Sequence, residues 1–280
     1  MAELVLITGT SSGIGLATAI ACAKAGHRVI ATMRNLDGKE ELERACSEAH
    51  VEVAIESLDV TSSSVGMKVR ELVLKYGPFY GLVNNAGIGF GGAFEEQSDE
   101  DIREQFETNV FGLMAVTRGA LPSMRAAGRG RIINVSSLSG RIGLPCVSAY
   151  AATKHAVEGF SESLRWEVEP FGLTVHVVEP GTVRTPIFFK NQRRGSLVSN
   201  DGPYASLNQW VEKLVTEEAQ RAPHPDVVGE KIESMLSADA VPRFRVAVGK
   251  DARTLVTLRR ALPDRLFASG VRFYSRYRGG

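Results

Sequence analysis

Short, uninterrupted apolar runs alternate with longer segments of helical periodicity along most of the chain. The first run, L-V-L-I-T at residues 4–8, has no alternating polar positions, which is typical of a strand buried on both faces of a parallel sheet. Comparable runs recur with room for a helix between them. The predicted strands cover residues 4–8, 28–32, 51–58, 81–83, 132–135 and 173–178, and the predicted helices cover residues 16–24, 35–50, 62–76, 99–127 and 149–168.

This alternation predicts an α/β fold. Crossovers between parallel strands are right-handed, so six strands that alternate with helices are expected to form a doubly wound parallel sheet with helices on both faces. The 280 residues show no internal repeat, no low-complexity tract and no convincing second domain. We therefore expect a single domain over residues 1–280, in which residues 1–185 form the cofactor-binding and catalytic core.

Composition narrows the functional classes without selecting one. Hydrophobic residues make up 44% of the chain and charged residues 23%, and the net charge of +1 gives no case for a nucleic-acid partner. Cys22, Cys46 and Cys146 lack metal-ligand spacing and cannot all pair, which favours a reducing compartment and no metal site. We find neither a secretory signal nor an apolar stretch of about 20 residues, so a soluble, cytoplasmic protein without a transmembrane segment is expected.

A glycine-rich turn follows the first predicted strand and leads into a helix. Its spacing, Gly9-x-x-x-Gly13-Ile14-Gly15, differs from the more familiar G-x-G-x-x-G, but its position is that of a dinucleotide-binding turn. Glycines permit a tight turn, a close approach of backbone N–H groups to a pyrophosphate at the helix N-terminus, and close contact between helix and strand. The alternative is an ordinary turn that binds nothing.

The end of the second predicted strand indicates which dinucleotide is bound. A carboxylate here would bind the ribose 2′-hydroxyl of NAD, but Met33 and Arg34 occupy the position. An arginine can bind a 2′-phosphate through charge-assisted hydrogen bonds and Ser12 can add a hydroxyl, so NADP is predicted and NAD is the less favoured cofactor. Asp59 and Val60 end the third strand, where a carboxylate can meet the adenine. The alternative for Arg34 is an ordinary surface arginine.

Two further loops leave the carboxyl ends of predicted strands, which is the edge at which open α/β sheets hold their ligands. Residues 84–87, N-N-A-G, form a polar turn that we expect to line the cofactor, although a turn alone would explain these residue types. Residues 179–185, E-P-G-T-V-R-T, are expected to bring their backbone to the nicotinamide amide and Thr185 to the phosphates.

Tyr150 and Lys154 lie four residues apart on a predicted helix and therefore share one face. A phenol beside an ammonium group can act as a proton donor near neutral pH, because the positive charge favours the phenolate. Ser137, at the end of the preceding strand, can supply a hydroxyl to the same place. The isolated pair is weak evidence, since an exposed aromatic residue near a solvated lysine would look the same.

Asn109 interrupts an apolar stretch in the predicted helix over residues 99–127. An unpaired buried amide is unfavourable by about 1–3 kcal/mol, so this side chain needs partners. We expect it to bind a water molecule or to distort the helix near the site. A polar residue at an interface is the alternative.

Residues 186–226 are irregular in pattern, and we predict that they form a lid over the substrate. Apolar side chains without concentrated charge favour a bulky lipophilic alcohol or ketone over a phosphorylated or carboxylated one. The alternative is a set of helices that pack on the body of the domain. The predicted pocket wall consists of Leu138, Leu144, Val147, Ile187, Phe188, Phe189, Leu197, Tyr204 and Trp210.

The remaining residues, 227–280, are assigned to a last helix, a last strand and a basic, aromatic tail. The tail over residues 251–280 can lie on a membrane surface or on a partner subunit. A C-terminal helix that docks on its own domain is the preferred interpretation.

Six of these motifs have the order and spacing of the short-chain dehydrogenase/reductase family, which residues 3–190 resemble. The resemblance implies a Rossmann-type fold with a seventh strand at residues 244–248, a nicotinamide-dependent interconversion of an alcohol and a carbonyl compound, and a homodimer or homotetramer. A-T-M-R at 31–34, T-N-V-F-G at 108–112 and G-L-P at 143–145 are similar to the narrower 17β-hydroxysteroid and retinol dehydrogenase branch. The six motifs are T-G-x-x-x-G-I-G from Thr8, N-N-A-G at 84–87, Asn109, Ser137, Tyr150-x-x-x-Lys154 and Pro180-Gly181.

The resemblance also implies roles for the site residues. Tyr150 would donate a proton to the developing alkoxide while NADPH delivers hydride, with its pKa lowered by Lys154 and by the oxidised nicotinamide. Ser137 would bind the substrate oxygen, Lys154 the nicotinamide ribose, and Asn109 a water linked to Lys154. The catalytic set is thus Asn109, Ser137, Tyr150 and Lys154. The cofactor-binding set is Thr8, Gly9, Ser11, Ser12, Gly13, Ile14, Gly15, Arg34, Asp59, Val60, Asn85, Ala86, Gly87, Tyr150, Lys154, Pro180, Gly181, Val183 and Thr185, and the substrate set is Ser137, Leu144, Val147, Tyr150 and Phe188.

Three function hypotheses follow. The leading one is an NADP(H)-dependent oxidoreductase that acts on a steroid- or retinoid-like lipophilic alcohol, ketone or aldehyde. The second is a reductase of acyl-chain β-ketones, which would need a basic patch to dock a carrier. The third is a cofactor-sensing protein without turnover, which the intact Ser137, Tyr150 and Lys154 disfavour. A nucleotide-sugar epimerase fits the glycine spacing poorly.

Overall fold

The computed structural model describes residues 2–185 and 193–274. At its centre is a parallel sheet of seven strands with helices on both faces, which confirms the predicted α/β fold and the seventh strand. Across the sheet the order is β3-β2-β1-β4-β5-β6-β7. The strands are β1 (Leu4–Thr8), β2 (Arg28–Met33), β3 (Ala54–Ser57), β4 (Gly81–Asn84), β5 (Gly130–Val135), β6 (Leu173–Pro180) and β7 (Arg245–Val248).

The helices cover the sheet in two layers. Side chains of β1 alternate between them: Val5 and Ile7 belong to one buried cluster, and Leu4 and Leu6 to the other. This two-sided burial explains why the strand has no polar alternation in sequence. The α-helices are α1 (Gly13–Lys24), α2 (Glu40–Ala49), α3 (Val65–Tyr76), α4 (Asp99–Phe106), α5 (Leu113–Ala127), α6 (Ser148–Val168), α7 (Ala205–Arg221), α8 (Asp226–Ser237), α9 (Lys250–Ala261) and α10 (Asp264–Tyr274).

The helix predicted over residues 99–127 is divided by a π-helical segment, Glu107–Gly112, between α4 and α5. The Asn109 side chain in this segment bonds to the loop after β4 and to α6 instead of facing solvent. A Cβ atom on Gly112 would lie 2.8 Å from the Val60 carbonyl oxygen, so the segment also approaches the loop after β3 closely. The expected helix distortion at Asn109 is therefore present.

Other boundaries also differ from the predictions. α1 begins at Gly13 instead of residue 16, and β3 is shorter than the predicted 51–58 because it lies at the edge of the sheet and pairs with β2 on one side only. The segment predicted to be irregular contains the 17-residue helix α7 and a short strand, Arg193–Arg194, that pairs with Phe90–Gly91. Of that predicted lid, residues 186–192 lie outside the described residues.

Among the helices that the structure describes, none combines the length and the apolar character needed to cross a membrane.

Candidate active site

The sequence motifs converge on one cavity of about 630 Å³ at the carboxyl edge of the sheet. They converge because β1, β4, β5 and β6 are parallel, so the loops that follow them leave at the same edge. Of the predicted residues, those that line this cavity are Gly9, Ser11, Ser12, Gly13, Ile14, Arg34, Asp59, Val60, Asn85, Ala86, Gly87, Ser137, Tyr150, Lys154, Pro180, Gly181, Val183 and Thr185.

Thr8 and Gly15 lie behind the cavity wall and hold two loops together. The Thr8 hydroxyl accepts hydrogen bonds from the backbone N–H groups of Asn85 and Ala86, each at 3.0 Å. The Asn85 amide donates to the Thr8 and Gly9 carbonyl oxygens, each at 2.9 Å. A Cβ atom on Gly15 would lie 2.1 Å from the Gly9 carbonyl oxygen, so only glycine permits this contact.

The turn after β1 presents backbone donors to the cavity. Gly9 and Gly13 have positive φ angles, +71° and +60°, which favour glycine. Ser12 is the N-cap of α1, but its side chain makes no capping hydrogen bond, so the first-turn N–H groups receive no side-chain cap. Free N–H groups and the positive end of a helix dipole suit a pyrophosphate, and the turn therefore fits a dinucleotide.

The far end of the cavity carries Arg34 and Asp59. Arg34 is exposed, and within the described ranges no carboxylate lies within 4.0 Å of its guanidinium group. Its backbone is held by Ser57, whose hydroxyl donates to the Arg34 carbonyl oxygen at 3.2 Å. One Asp59 oxygen accepts hydrogen bonds from the backbone and hydroxyl of Thr61, which orients the carboxylate. Arg34 is thus a cation available to an anionic group.

Lys154 is buried, and its ammonium group lies between the sheet and the phenol. Its Nζ atom donates to the Val135 carbonyl oxygen at 2.9 Å and lies 5.7 Å from the centre of the Tyr150 ring. Burial lowers the pKa of Lys154 to about 8, and the negative charge of Glu158, one turn along α6, opposes that shift. The lysine therefore remains mostly charged at neutral pH.

The environment of Tyr150 differs from the expectation. Burial raises the pKa of the phenol above its ordinary value, while a hydrogen bond from Ser137 opposes the rise. A lowered phenol pKa was expected, with part of the effect assigned to the nicotinamide. Burial therefore keeps the phenol protonated at neutral pH, which suits a proton donor.

Asn109 is 1% exposed and does not line the cavity. Its Oδ1 atom accepts from the Ile88 backbone N–H at 2.8 Å, and its Nδ2 atom donates to the Ile88 carbonyl oxygen and the Thr153 hydroxyl at 2.8 and 3.0 Å. Thr153 in turn donates to the Tyr150 carbonyl oxygen at 2.7 Å. The amide therefore ties the loop after β4 to the helix that carries Tyr150 and Lys154.

A second cavity of about 280 Å³ adjoins the first and shares Gly89, Ser137, Tyr150, Gly181 and Arg193 with it. Its wall is mostly apolar and includes the predicted Leu138, Leu144, Val147 and Trp210. The predicted Leu197 and Tyr204 do not line it, and Phe188 lies outside the described residues, as do Ile187 and Phe189. Wall residues absent from the prediction include Phe90, Pro145, Cys146, Val198, Asn208, Val211, Leu214, Val215 and Val271.

One face of α7 supplies much of this wall. Trp210, Val211, Leu214 and Val215 are spaced at i, i+1, i+4 and i+5, so they point to one side of the helix. The same spacing is visible in the sequence and marks an apolar face of α7, but it does not identify the cavity that this face lines. Val271 comes from α10, more than 50 residues later, and no local pattern connects it to the site.

The charged side chains at this cavity are already paired. Arg193 lies 2.6 Å from Glu104, and Arg194 forms two hydrogen bonds with Glu212. Cys146 has a positive φ of +61°, and burial, followed by the charge of Glu96, raises the pKa of its thiol to about 11. The thiol therefore stays protonated, and the cavity suits an uncharged, apolar ligand.

A buried charge cluster lies one turn beyond Lys154 on α6. Arg245 Nε is 2.8 Å from a Glu158 oxygen and 3.8 Å from a Glu179 oxygen, and Arg141 is 3.8 Å from each carboxylate. Burial, then the charge of Glu158, raise the pKa of Glu179 to about 7, while the two arginines oppose the rise. The cluster joins α6 to the end of β6 and to β7.

Within the described residues, no group of three or more His, Cys, Asp and Glu side chains is placed to hold a metal ion.

Comparison with known proteins gives consistent matches. The family model described as short chain dehydrogenase matches residues 3–195. A 3-ketodihydrosphingosine reductase from Bacteroides thetaiotaomicron is 36% identical over 274 residues, which cover 97% of this chain and 97% of that protein.

Two solved structures extend the comparison to the fold. A short-chain dehydrogenase from Streptomyces avermitilis has a TM-score of 0.77 at 35% identity. The match covers 100% of this chain and 98% of the dehydrogenase chain. A variant of the actinorhodin polyketide ketoreductase, solved with NADPH, has a TM-score of 0.74 at 32% identity. The match covers 88% of this chain and 95% of the ketoreductase chain.

Proposed function

The chain belongs to the short-chain dehydrogenase/reductase family of oxidoreductases, and on this premise we propose that it uses NADP(H) to interconvert a lipophilic ketone and its secondary alcohol. One observation carries the proposal: Tyr150 and Ser137 border both the cavity that fits a dinucleotide and the apolar cavity beside it. A substrate in the apolar cavity could place its carbonyl group at this junction. The carbonyl oxygen would there contact the Tyr150 phenol, and the carbonyl carbon would face a nicotinamide bound in the first cavity.

The residues at the junction have distinct tasks. NADPH, when bound, supplies the hydride. The Tyr150 phenol, kept protonated by burial, donates its proton to the oxygen of the carbonyl group as negative charge develops there. Ser137 hydrogen-bonds the same oxygen and holds it near the phenol. Charged Lys154 stabilises the phenolate that remains.

The preference for NADP over NAD rests on Arg34. The guanidinium group lies at the rim of the first cavity without a carboxylate partner in the described part of the chain, so it is free to bind a 2′-phosphate. Met33 takes the place of the carboxylate that would select NAD. The NADPH in the related ketoreductase supports the same choice.

The substrate that fits best is a ketone on a long alkyl chain. The second cavity is walled by apolar side chains, and its arginines are neutralised by Glu104 and Glu212, which disfavours a phosphorylated or carboxylated end in this cavity. The related 3-ketodihydrosphingosine reductase favours a 3-keto lipid over a steroid or retinoid. We also propose that residues 186–226 form a lid over the substrate. Within this segment, α7 contributes side chains to the wall of the second cavity.

Replacement of Tyr150 by phenylalanine tests the proposal. We expect reduction of 3-ketodihydrosphingosine by NADPH, followed as loss of the reduced nicotinamide absorbance, to fall by about 10²–10⁴-fold, because the general acid is removed. NADPH binding, measured by fluorescence titration, should be kept. Tyr76, the last residue of α3, does not line either cavity, and its hydroxyl donates to Glu56 of β3, so Tyr76→Phe should leave the rate unchanged.

The panel should also contain a steroid, a retinal and a β-ketoacyl thioester. Equal rates in wild type and Tyr150→Phe would contradict the mechanism. Tight NADPH binding without turnover of any carbonyl compound would instead favour a cofactor-sensing protein.

A further inference from the structure

The C-terminal helical pair, α9 and α10 (residues 250–274), lies in a part of the chain with concentrated positive charge. Residues 250–280 contain eight lysines and arginines but two aspartates, whereas the whole chain contains 33 basic and 32 acidic residues. The rest of the chain therefore has 25 basic and 30 acidic residues and is net negative. The net charge of +1 is thus the sum of a strongly positive C-terminal segment and a negative remainder of the chain.

Most cations of the C-terminal helical pair have no acidic partner. Both aspartates are engaged, since Asp264 pairs with Arg259 at 2.6 Å and Asp251 accepts a hydrogen bond from the Thr182 backbone at 2.6 Å. The exposed cations without a carboxylate within 4.0 Å, among the residues that the structure describes, are Lys250, Arg253, Arg260, Arg265 and Arg272. This surface is therefore cationic and unneutralised.

The same helical pair presents an apolar face beside the second cavity. α10 separates its apolar and polar residues more strongly than the other described helices. Val271, on the apolar face, lines the cavity, and Phe267 is half-buried next to it. Leu266, at the opposite border of that face, is 59% exposed, and Leu258 of α9 is also exposed. The apolar face of α10 thus has one border in the cavity wall and the other at the exposed surface.

We propose that the C-terminal helical pair docks on a membrane surface that contains anionic lipids, with Leu266 at the acyl boundary and the exposed cations at the headgroups. An acidic protein or a nucleic acid would neutralise the cations but would leave the apolar face in water. An anionic lipid surface satisfies both features. The second cavity then opens beside the membrane, and a lipophilic ketone enters it from the lipid, a step that rests on the proposed function.

The expected strength follows from the charges. Each lysine or arginine at an anionic membrane surface strengthens binding by about fivefold, and the effect is screened by salt. Reversal of two arginines removes two attractive charges and adds two repulsive ones, so a loss of at least about tenfold is expected.

Vesicle co-sedimentation with the full chain, without substrate or cofactor, tests the docking separately from the enzymatic proposal. Wild type should sediment with mixed phosphatidylglycerol and phosphatidylcholine vesicles at low ionic strength, but not with pure phosphatidylcholine vesicles. Arg265→Glu/Arg272→Glu should bind the anionic vesicles at least about tenfold more weakly. Leu266→Glu should also lose binding, because the apolar contact becomes charged.

Matched controls carry the same changes elsewhere. Leu74→Glu replaces a leucine that is 88% exposed on α3, and Arg44→Glu/Arg103→Glu reverses two exposed arginines on α2 and α4, so both should bind as wild type. No sedimentation of wild type with anionic vesicles, or equal losses in the control variants, would overturn the proposal. If Leu266→Glu instead dissociates an oligomer in lipid-free sedimentation, the face contacts a second copy and the proposal is wrong.

Discussion

At the scale of single residues, the site depends on how burial changes ordinary side chains. Tyr150 and Lys154 are common residue types, but burial raises the pKa of the phenol and lowers the pKa of the ammonium group to about 8. The two shifts have the same origin, since desolvation disfavours whichever form is charged. The pKa of the ammonium group is thereby brought closer to neutral pH, whereas the pKa of the phenol is moved further above it and the phenol stays protonated.

Arg34→Ala should change the choice of cofactor. Loss of a charge-assisted hydrogen bond, about 1.5–3 kcal/mol, predicts a fall in kcat/KM for NADPH of roughly tenfold to a hundredfold. The value for NADH should stay within about threefold, because NAD has no 2′-phosphate to contact. Steady-state kinetics with both cofactors measures the ratio, and Arg44→Ala on the exposed face of α2 serves as the control. Equal losses with NADPH and NADH would contradict the role of Arg34.

At the scale of elements, the site is built where loops after parallel strands touch. The turn after β1 and the loop after β4 are bonded through Thr8 and Asn85, and Asn109 ties that loop to α6. The π-helical segment places Asn109 for this contact, and a regular helix through residues 107–112 would have rotated it away. These hydrogen bonds fix the two loops and α6 relative to one another, and so hold the side chains that line the cavity in place.

Gly15→Ala tests the contact between the first helix and its own turn. The added methyl group would meet the Gly9 carbonyl oxygen and the Asn85 amide, so we expect a loss of about 1–3 kcal/mol in unfolding free energy and weaker NADPH binding. Gly159→Ala is the matched control: its Cβ would meet no heavy atom within 4 Å, and alanine should stabilise α6 by about 0.5–1 kcal/mol. Urea unfolding measures both. Similar changes in the two variants would show that the close contact does not matter.

At the scale of the whole molecule, a buried charge cluster makes the stability of the fold depend on pH. Glu158 and Glu179 join α6 and the end of β6 to Arg141 and to Arg245 of β7. Each carboxylate retains one buried oxygen without a hydrogen-bond partner. The pKa of Glu179 is about 7 in the folded chain, against an ordinary value of 4.5, so its protonated form favours folding.

The effect on stability has a definite sign. Because the folded pKa of Glu179 is raised, its contribution is most favourable below pH 4.5 and declines as the pH rises to about 7. Glu179→Gln stays neutral, so the stability of this variant relative to wild type should rise over that range by up to about 3 kcal/mol. Urea unfolding at several pH values, at one protein concentration, measures the difference. A difference independent of pH would contradict the raised pKa.

Glu162→Gln provides a control of opposite sign. Arg245 holds the pKa of this exposed carboxyl below its ordinary value, so the wild-type side chain stabilises the fold above the ordinary pKa and loses that contribution as the pH falls. The control variant should therefore approach wild type in stability on acidification.

Much of this architecture was accessible from sequence. Continuous apolar strands, the glycine turn and the position of Tyr150, Lys154 and Ser137 depend on local chemistry: strand burial, backbone freedom at glycine and the helical repeat. Parallel strands then bring the loops to one edge, which is why 18 of the predicted site residues line one cavity. Thr8, Gly15 and Asn109 were associated with the site, but their positions behind the wall depend on contacts between loops.

The sequence by itself determined the class of fold, the edge of the sheet that carries the site, and the residue types that meet there. Only the tertiary structure decided that α7 and Val271 of α10 wall the second cavity, and that Glu158 and Glu179 are buried together. The physical reason is range: a periodic pattern records which face of one element is apolar, because burial acts on each residue locally. Which distant faces meet depends on the free energy of the assembled molecule, and no single segment contains that information.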